Sequence, residues 1–202
     1  MTPAIRQSPF ACIVLAAGAG RRFGGPKAEA ILPGGVRFLD AVVSCAIAAG
    51  ADPVIAVVPS ATSVPAAAIG VVNEDALGEQ IATVRMGLDQ LESTPVTGSL
   101  IWPVDHPLVR VESVLAVVDG GRRTAAPIVI PTFDGRRGHP PFFGRETWAL
   151  LRAVKSGGAR AVIRQLESRV LEVPVQDAGV IRDIDTRADL PDDHWRPSDA
   201  VS

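Results

Sequence analysis

Between positions 15 and 27 the sequence combines small residues with well-spaced positive charges. The segment reads Leu15-Ala16-Ala17-Gly18-Ala19-Gly20-Arg21-Arg22-Phe23-Gly24-Gly25-Pro26-Lys27. Its glycines let the backbone approach a ligand closely and turn amide groups toward bound oxygens. Arg22 and Lys27 can add positive charge over a polyphosphate. The segment therefore predicts a phosphate-binding loop, although a Gly-rich turn between a strand and a helix could have the same glycines.

Two better-known Gly-rich motifs fit this segment poorly. A P-loop requires Gly-Lys-Ser/Thr, whereas Pro26 precedes Lys27 and Ala28 follows it. The dinucleotide pattern Gly-x-Gly-x-x-Gly matches only loosely at Gly18 and Gly20, and no acidic residue stands clearly at the distance expected for ribose binding. A different kind of phosphate loop is therefore expected.

A carboxylate follows a second apolar run. Asp105 comes directly after Ile101-Trp102-Pro103-Val104, at the predicted end of a strand. There it would face the same sheet edge as the Gly-rich loop, where a hard cation that bridges phosphates needs oxygen ligands. The spacing equally allows Asp105 to cap the helix that follows.

Short apolar runs must position these residues. They span residues 11–17, 53–58, 69–72, 99–104, 127–131 and 170–175. Their Val and Ile content is typical of buried parallel strands. Helical patterns lie between them at 79–92, at 112–119 and twice within 145–168; the first two have the apolar stripes Ile81, Val84, Leu88, Leu91 and Val114, Leu115, Val118. This alternation predicts an α/β fold whose mostly parallel sheet binds ligands at its carboxyl edge.

The overall composition favours one globular domain. The chain has 202 residues, of which 47% are hydrophobic. We expect a single domain over 1–190 and a polar, partly disordered tail over 191–202. A net charge of −2 gives no general attraction to nucleic acid or to a membrane surface. Cys12 and Cys45 lie in apolar runs and are expected to be buried free thiols, which with the absence of a signal sequence or a membrane span predicts a cytoplasmic protein.

The Gly-rich segment also resembles a known family. It matches the pattern LAAGxGxRxGxxK at every fixed position. In this it is similar to the MobA-like nucleotidyltransferases, which include molybdenum-cofactor cytidylyl- and guanylyltransferases, sugar-nucleotide pyrophosphorylases and methylerythritol-phosphate cytidylyltransferases. The resemblance implies a three-layer, Rossmann-like nucleotidyltransferase fold and a Mg²⁺-dependent transfer that releases pyrophosphate.

The same resemblance implies the nucleotide site. Nucleotide contacts would come from Leu15, Ala16, Ala17, Gly18, Gly20, Arg22, Lys27, Thr83 and Asp105. The catalytic side chains would be Arg22, Lys27 and Asp105. Thr83 stands where the family usually has serine, in a segment that lines base and ribose, but a mid-helix threonine can also be merely tolerated.

Two carboxylates are implied as metal ligands. The Asp-x-Pro sequence at Asp105 is where the family binds magnesium, and residues 183–190 (DIDTRADL) are similar to its closing pattern DIDTPEDL. Asp183 and Asp185 would point to opposite faces of an extended segment, so only one can reach the metal. We favour Asp183.

Residues 136–143 (RRGHPPFF) are similar to the RxGHPxxF segment of the molybdenum-cofactor cytidylyltransferase (MocA-like) branch. The resemblance implies that the acceptor is bound by Arg137, Gly138, His139 and Pro140. Without the resemblance, the segment would be interpreted as a loop histidine beside a Pro-Phe packing cluster with solvated arginines.

The leading prediction is transfer of CMP from CTP to a phosphorylated acceptor, molybdopterin, with transient contact to a molybdoenzyme or its chaperone. Guanylyltransferases of the family have LAGG, and the methyl group of Ala17 is expected to crowd a guanine. Three alternatives stay open. They are a molybdopterin guanylyltransferase, a transferase for another phosphate acceptor, and a nucleotide-binding regulatory or chaperone-like protein without turnover.

Overall fold

One sheet forms the centre of the computed structural model, which describes residues 9–18, 20–75 and 80–192. Its described strands are β1 (Ala11–Leu15), β2 (Val54–Val58), β3 (Ile69–Val72), β4 (Gly98–Pro103), β5 (Ile128–Phe133), β6 (Arg136–Arg137), β7 (Phe142–Gly144) and β8 (Val170–Pro174). The described α-helices are α1 (Phe38–Ala48), α2 (Gln80–Gln90), α3 (Val111–Thr124), α4 (Trp148–Ala153) and α5 (Gly158–Gln165). The six apolar runs correspond to β1, β2, β3, β4, β5 and β8, so the predicted strands are confirmed.

The strand order is β3-β2-β1-β4-β7-β5, with β6 and β8 also paired to β5. β1 is parallel to β2 and β4, β2 is parallel to β3, and β5 is parallel to β8. The short strands β6 and β7 are antiparallel to their neighbours. The mostly parallel sheet is therefore as predicted, and the ends of β1 and β4, at Leu15 and Pro103, lie side by side.

Helices cover both faces of the sheet. Alternate residues of β1 face opposite sides: Cys12 and Val14 join a core with α1 and α3, whereas Ile13 and Leu15 join a core with α2, α4 and α5. This gives the predicted three layers. Helix α1 lies in the apolar run around Cys45, for which the sequence analysis predicts no helix. Both cysteines are buried free thiols, as expected.

The predicted stripe of α2 is confirmed, since Ile81, Val84, Leu88 and Leu91 are all buried. The stripe of α3 needs one correction. Leu115 is 40% exposed, whereas Val114 and Val118 are buried. One residue step rotates a helix by about 100°, so Leu115 lies at the edge of the buried face, whereas Val111 and Val117, each three residues from Val114, complete it.

Helix α2 packs closely on β1 at Gly87. A Cβ at Gly87 would lie 2.4 Å from Cγ2 of Ile13. Only glycine therefore allows this approach without displacement of the strand residue. Thr83 lies about one turn before Gly87 and on the same side of the helix, so the close contact brings Thr83 toward the end of β1.

The hairpin that follows β5 contains extra residues. Thr132 pairs with Arg137 and Val129 pairs with Phe142, so three steps along β5 match five steps along the returning chain. The hairpin bulge, residues 138–141, takes up the difference. It is held by Gly138 N–H donating to the Pro131 carbonyl (2.8 Å), His139 N–H donating to the Val180 carbonyl (2.7 Å) and Ile101 N–H donating to the Pro141 carbonyl (3.0 Å).

Among the described residues, no helix is both long enough and apolar enough to cross a membrane. The predicted polar tail lies, from residue 193 onward, outside the described residues.

Candidate active site

The Gly-rich loop leaves β1 and folds back on itself at Gly20. This residue has φ +57°, and a Cβ here would lie 1.8 Å from the carbonyl oxygen of Gly25. The Gly20 carbonyl accepts from the N–H groups of Phe23, Gly24 and Gly25, at 2.9, 3.0 and 3.2 Å. These three amides are used within the loop. Phosphate binding would then depend on the earlier part of the loop and on the Arg22 and Lys27 side chains.

A chain of ion pairs runs along this sheet edge. Nη1 of Arg22 lies 2.7 Å from Oδ2 of Asp185. Nζ of Lys27 donates to Oδ1 of Asp185 and, at 3.2 Å, to Oδ2 of Asp105. Oδ1 of Asp105 lies 2.9 Å from Nδ1 of His106. The Lys27 side chain is 13% exposed, so this lysine is held between two carboxylates.

Asp105 stays ionised in this setting. Burial alone would raise its pKa, but the hydrogen bond from His106 and the charge of Lys27 outweigh it and lower the pKa to about 2. The turn after β4 is itself fixed, since Nε1 of Trp102 donates to the His106 carbonyl at 3.1 Å. Asp105 therefore presents a charged, well-positioned oxygen donor.

The first cavity, called the loop cavity, has a volume of about 330 Å³. It is lined by Leu15, Ala17, Gly18, Gly20, Arg21, Arg22, Lys27, Asp75, Gln80, Thr83, Pro103, Val104, Asp105 and Asp185. Most residues predicted to contact a nucleotide are thus brought together. Ala16 is the exception, because it packs in the core beside α1 and α3 and donates its N–H to the Val57 carbonyl.

Thr83 is oriented by a neighbouring amide. Nδ2 of Asn73 donates to Oγ1 of Thr83 at 3.2 Å, and Oδ1 of Asn73 accepts from the Asp75 N–H at 3.0 Å. With its oxygen accepting from Asn73, the Thr83 hydroxyl has its hydrogen available for a ligand in the loop cavity.

The second cavity, called the histidine cavity, has a volume of about 530 Å³. Its lining includes Leu15, Gln80, Pro103 and Asp105, which also line the loop cavity, together with His106, His139, Pro141, Arg160 and Asp183. Both volumes lie within the range of about 300–1,000 Å³ usual for ligand pockets. Two ligands bound side by side would therefore meet at Asp105.

The two histidines of this cavity lie against each other, with ring centroids 4.5 Å apart. Nδ1 of His139 is buried and has no hydrogen-bond partner among the described residues. Burial and the neighbouring His106 lower the pKa of His139 to about 3. His139 is therefore a neutral imidazole with an unused polar atom.

Other residues of the predicted acceptor segment lie elsewhere. Arg137 donates from Nε to Glu172 (2.7 Å) and from Nη1 to Glu167 (3.1 Å), and it does not line either cavity. Gly138 packs against Val180, whose carbonyl oxygen would lie 2.3 Å from an added Cβ. Pro140 is buried, and its neighbour Pro141 lines the histidine cavity instead. Of the four residues predicted to bind the acceptor, only His139 lines either cavity.

The two late carboxylates are separated as their alternation predicts. The Ile184 N–H donates to the Asp105 carbonyl at 2.8 Å, which anchors the segment beside the turn after β4. Asp185 then reaches Lys27 in the loop cavity, whereas Asp183 lines the histidine cavity. The choice of Asp183 as metal ligand stays a prediction, and the contact with Lys27 makes Asp185 the competing candidate.

A divalent cation fits the donor set only together with a phosphate ligand. No group of three or more His, Cys, Asp or Glu side chains that could hold a metal occurs among the described residues. Mg²⁺ is commonly bound by one or two carboxylates with the remaining oxygens from substrate phosphates and water. Asp105 with Asp185 or Asp183 meets that requirement.

Several lining residues were missed from sequence. Asp75 and Gln80 lie in the segment similar to the base-binding part of the family but carry no signal of their own. His106 is the middle residue of the Asp-x-Pro sequence, whose pattern leaves that position open. Arg160 lies two residues after Gly158, in a region where the glycines predict only a break between helices. Its place in the cavity wall depends on how α5 packs.

A Gly-rich loop after the first strand of a parallel sheet, with basic side chains and a carboxylate at the same edge, defines an α/β protein that handles phosphorylated ligands. Residues 12–170 match the family described as MobA-like NTP transferase domain. The chain belongs to this family and is a nucleotidyltransferase.

Similar proteins agree with this assignment. The chain is 27% identical, over 90% of its length and 92% of the relative, to a protein of Mycobacterium marinum named "Probable molybdenum cofactor guanylyltransferase". It is also similar to the crystal structure of Rv0371c from Mycobacterium tuberculosis, with a TM-score of 0.76, 27% identity and coverage of 90% and 95% of the two chains. A structure described as the complex of Rv0371c with manganese matches with a TM-score of 0.70 and 25% identity, over 90% of this chain and 95% of that one.

Proposed function

We propose that this protein transfers a nucleoside monophosphate from a nucleoside triphosphate to the phosphate of molybdopterin and releases pyrophosphate. The observation that carries the proposal is the pair of adjacent cavities that share Asp105. The loop cavity has the basic side chains that a triphosphate requires, and the histidine cavity has room for a second ligand beside it. The name of the mycobacterial relative supports molybdopterin as the acceptor.

In this reaction an oxygen of the acceptor phosphate attacks the α-phosphorus of the nucleotide in line. A new P–O bond forms, the bond to the bridging α,β-oxygen breaks, and pyrophosphate leaves with the electron pair. The attacking phosphate is already ionised, so no general base is needed. Positioning and charge neutralisation therefore supply the catalysis.

The positions of the side chains support the following roles. Lys27 and Arg22 would stabilise the departing pyrophosphate, and Ala17, Gly18 and Gly20 would contact the nucleotide. Asp105, with Asp185 favoured over Asp183 because it shares Lys27 with Asp105, would hold Mg²⁺. A bound divalent cation would neutralise the charge that develops around the α-phosphate. The manganese complex of the similar mycobacterial protein supports a divalent metal.

Two donor bases each have a supporting observation. The relative is named as a guanylyltransferase, which favours GTP, the alternative left open in the sequence analysis, over the leading prediction of CTP. The methyl group of Ala17, which lines the loop cavity where the family's guanylyltransferases have glycine, favours CTP. One unfavourable contact with a methyl group, about 0.8 kcal/mol, would discriminate between them by about 4-fold.

The test is a pyrophosphate-release assay with molybdopterin and each of the four nucleoside triphosphates. Release with CTP or GTP, dependent on both molybdopterin and Mg²⁺, is the expected result, and the preferred base decides between the two transfers. Tight triphosphate binding without pyrophosphate release would favour the nucleotide-binding regulatory alternative. Contact with a molybdoenzyme or its chaperone stays a prediction.

A further inference from the structure

The wall of the histidine cavity beyond His139 is formed by the start of α5. Gly157, Gly158, Ala159 and Arg160 all line the cavity. Gly157 and Gly158 have positive φ values of 82° and 61°, so the chain turns sharply into the helix here. This turn brings Arg160 to the same cavity as Asp105.

The charges of this cavity raise a difficulty for an anionic ligand. Asp105 and Asp183 both line it, and each would repel a phosphate. His139 offers little compensation, since it is largely buried and keeps a buried nitrogen without a hydrogen-bond partner among the described residues. A phosphorylated acceptor therefore needs a cation in this cavity besides any metal shared with the nucleotide.

Arg160 is the one arginine or lysine among the described residues that line this cavity. None of the ion pairs between described residues involves it, whereas Arg137 is paired with Glu167 and Glu172 and Arg152 with Asp89 and Glu92. Its guanidinium is close enough to His139 to influence that imidazole electrostatically. An unpaired guanidinium offers two parallel N–H groups to a phosphate without first giving up another partner.

We infer that Arg160 binds the phosphate group of the acceptor and holds it in the histidine cavity beside Asp105. The inference rests on the proposed function, to which it adds the residue that recognises the acceptor's charge. The amides in the first turn of α5 assist, because the start of a helix favours a bound anion. Acceptor recognition then depends on α5 and not on Arg137.

The test compares equilibrium binding of molybdopterin, in the presence of a non-hydrolysable triphosphate analogue, to the wild-type protein and to the Arg160→Ala and Arg160→Lys variants. Arg164→Ala is the matched control, because this arginine lies one turn further along α5 and does not line the cavity. We expect Arg160→Ala to raise the Kd for molybdopterin about 10- to 100-fold, as loss of a hydrogen-bonded charge pair does. Arg160→Lys should recover part of the affinity, and Arg164→Ala should bind normally.

A second ligand identifies what Arg160 contacts. Molybdopterin from which the phosphate has been removed should bind wild type and Arg160→Ala equally, since the group that Arg160 holds is missing. Equal weakening of both ligands in Arg160→Ala, or unchanged binding of molybdopterin, would overturn the inference. Arg160-dependent binding without pyrophosphate release by the wild type would contradict the proposed reaction and leave this inference standing.

Discussion

Lys27 lies between two carboxylates in the loop cavity, whereas Arg160, across the shared Asp105 in the histidine cavity, pairs with none of the described side chains. In the first cavity Arg22, Lys27, Asp105 and Asp185 already neutralise one another. A metal–triphosphate complex would exchange these partners, since the metal attracts the carboxylates and the phosphates attract the cations. In the second cavity, by contrast, Nδ1 of His139 has no hydrogen-bond partner and Arg160 has no ion-pair partner among the described residues.

This difference separates two kinds of effect. Lys27, Asp105 and Asp185 in the loop cavity are partly buried and paired with one another, so their removal should reduce transition-state stabilisation and lower kcat. Groups in the histidine cavity would contact only the acceptor under the proposed function, so their removal should mainly raise the KM of the acceptor. Variants on either side can confirm or break this division.

Asp105 joins the two cavities and should give the largest effect. Asp105→Asn keeps the side-chain size but removes the charge, and we expect kcat to fall about 10²- to 10³-fold. Asp134→Asn, an exposed carboxylate in the turn between β5 and β6, is the control for a mere loss of charge. A folded Asp105→Asn protein with near-normal pyrophosphate release would contradict the metal assignment; thermal unfolding verifies the fold.

Lys27→Ala should come next, with kcat lower by about 10²-fold, roughly 2.7 kcal/mol. Without the lysine, the departing pyrophosphate would lose a positively charged contact, and the two carboxylates would lose the cation between them. Steady-state kinetics in triphosphate concentration measure the loss. Lys155→Ala, an exposed lysine before α5, should behave as wild type; if both variants lose activity equally, the effect is not local to the loop cavity.

Asp185→Asn and Asp183→Asn decide which late carboxylate acts with Asp105. Because Asp185 shares Lys27 with Asp105, we expect its variant to lose about 10- to 50-fold in kcat and to need more Mg²⁺. Asp183→Asn should change mainly the acceptor KM. Titration of activity against Mg²⁺ for both variants is the measurement, and the opposite order would restore Asp183 as the metal ligand.

His139→Ala should raise the acceptor KM about 3- to 10-fold, which corresponds to one hydrogen bond, while the triphosphate KM stays unchanged. Arg137→Ala is its counterpart from the same segment and should leave both constants unchanged, because Arg137 faces Glu167 and Glu172. Equal weakening of both substrates in His139→Ala would indicate a structural role.

Ala17→Gly should give the smallest change. Loss of one methyl group from the loop cavity is expected to shift the ratio of kcat/KM for CTP over GTP toward GTP by about 4-fold. The measurement is a competition between the two triphosphates with the same acceptor. A ratio that does not move would mean that Ala17 does not lie against the base.

The fold could be predicted because its signals are local. Runs of Val and Ile gave the six main strands, and the spacing of Ile81, Val84 and Leu88 gave α2. Leu115 was misplaced because a stripe chosen from three residues can be rotated by one position. The strands β6 and β7 were missed because two or three residues are too few to show a period.

The candidate site was predictable where function requires particular residues in sequence, as between Leu15 and Lys27. Contacts between side chains that lie far apart in the sequence could not be predicted. The partners of Arg137 lie 30 and 35 residues away, and Asp185 meets Lys27 across 158 positions. No local pattern reports such pairings.

The hairpin bulge at residues 138–141 carries His139 and Pro141 to the wall of the histidine cavity. Its two flanking strand pairs, Thr132 with Arg137 and Val129 with Phe142, fix the register of the sheet on either side. Gly138 is fixed by its packing against Val180, but the side chains at positions 139 and 141 can vary without a shift in that register. The bulge thus confines local variation that a regular β-strand would pass on to its neighbours.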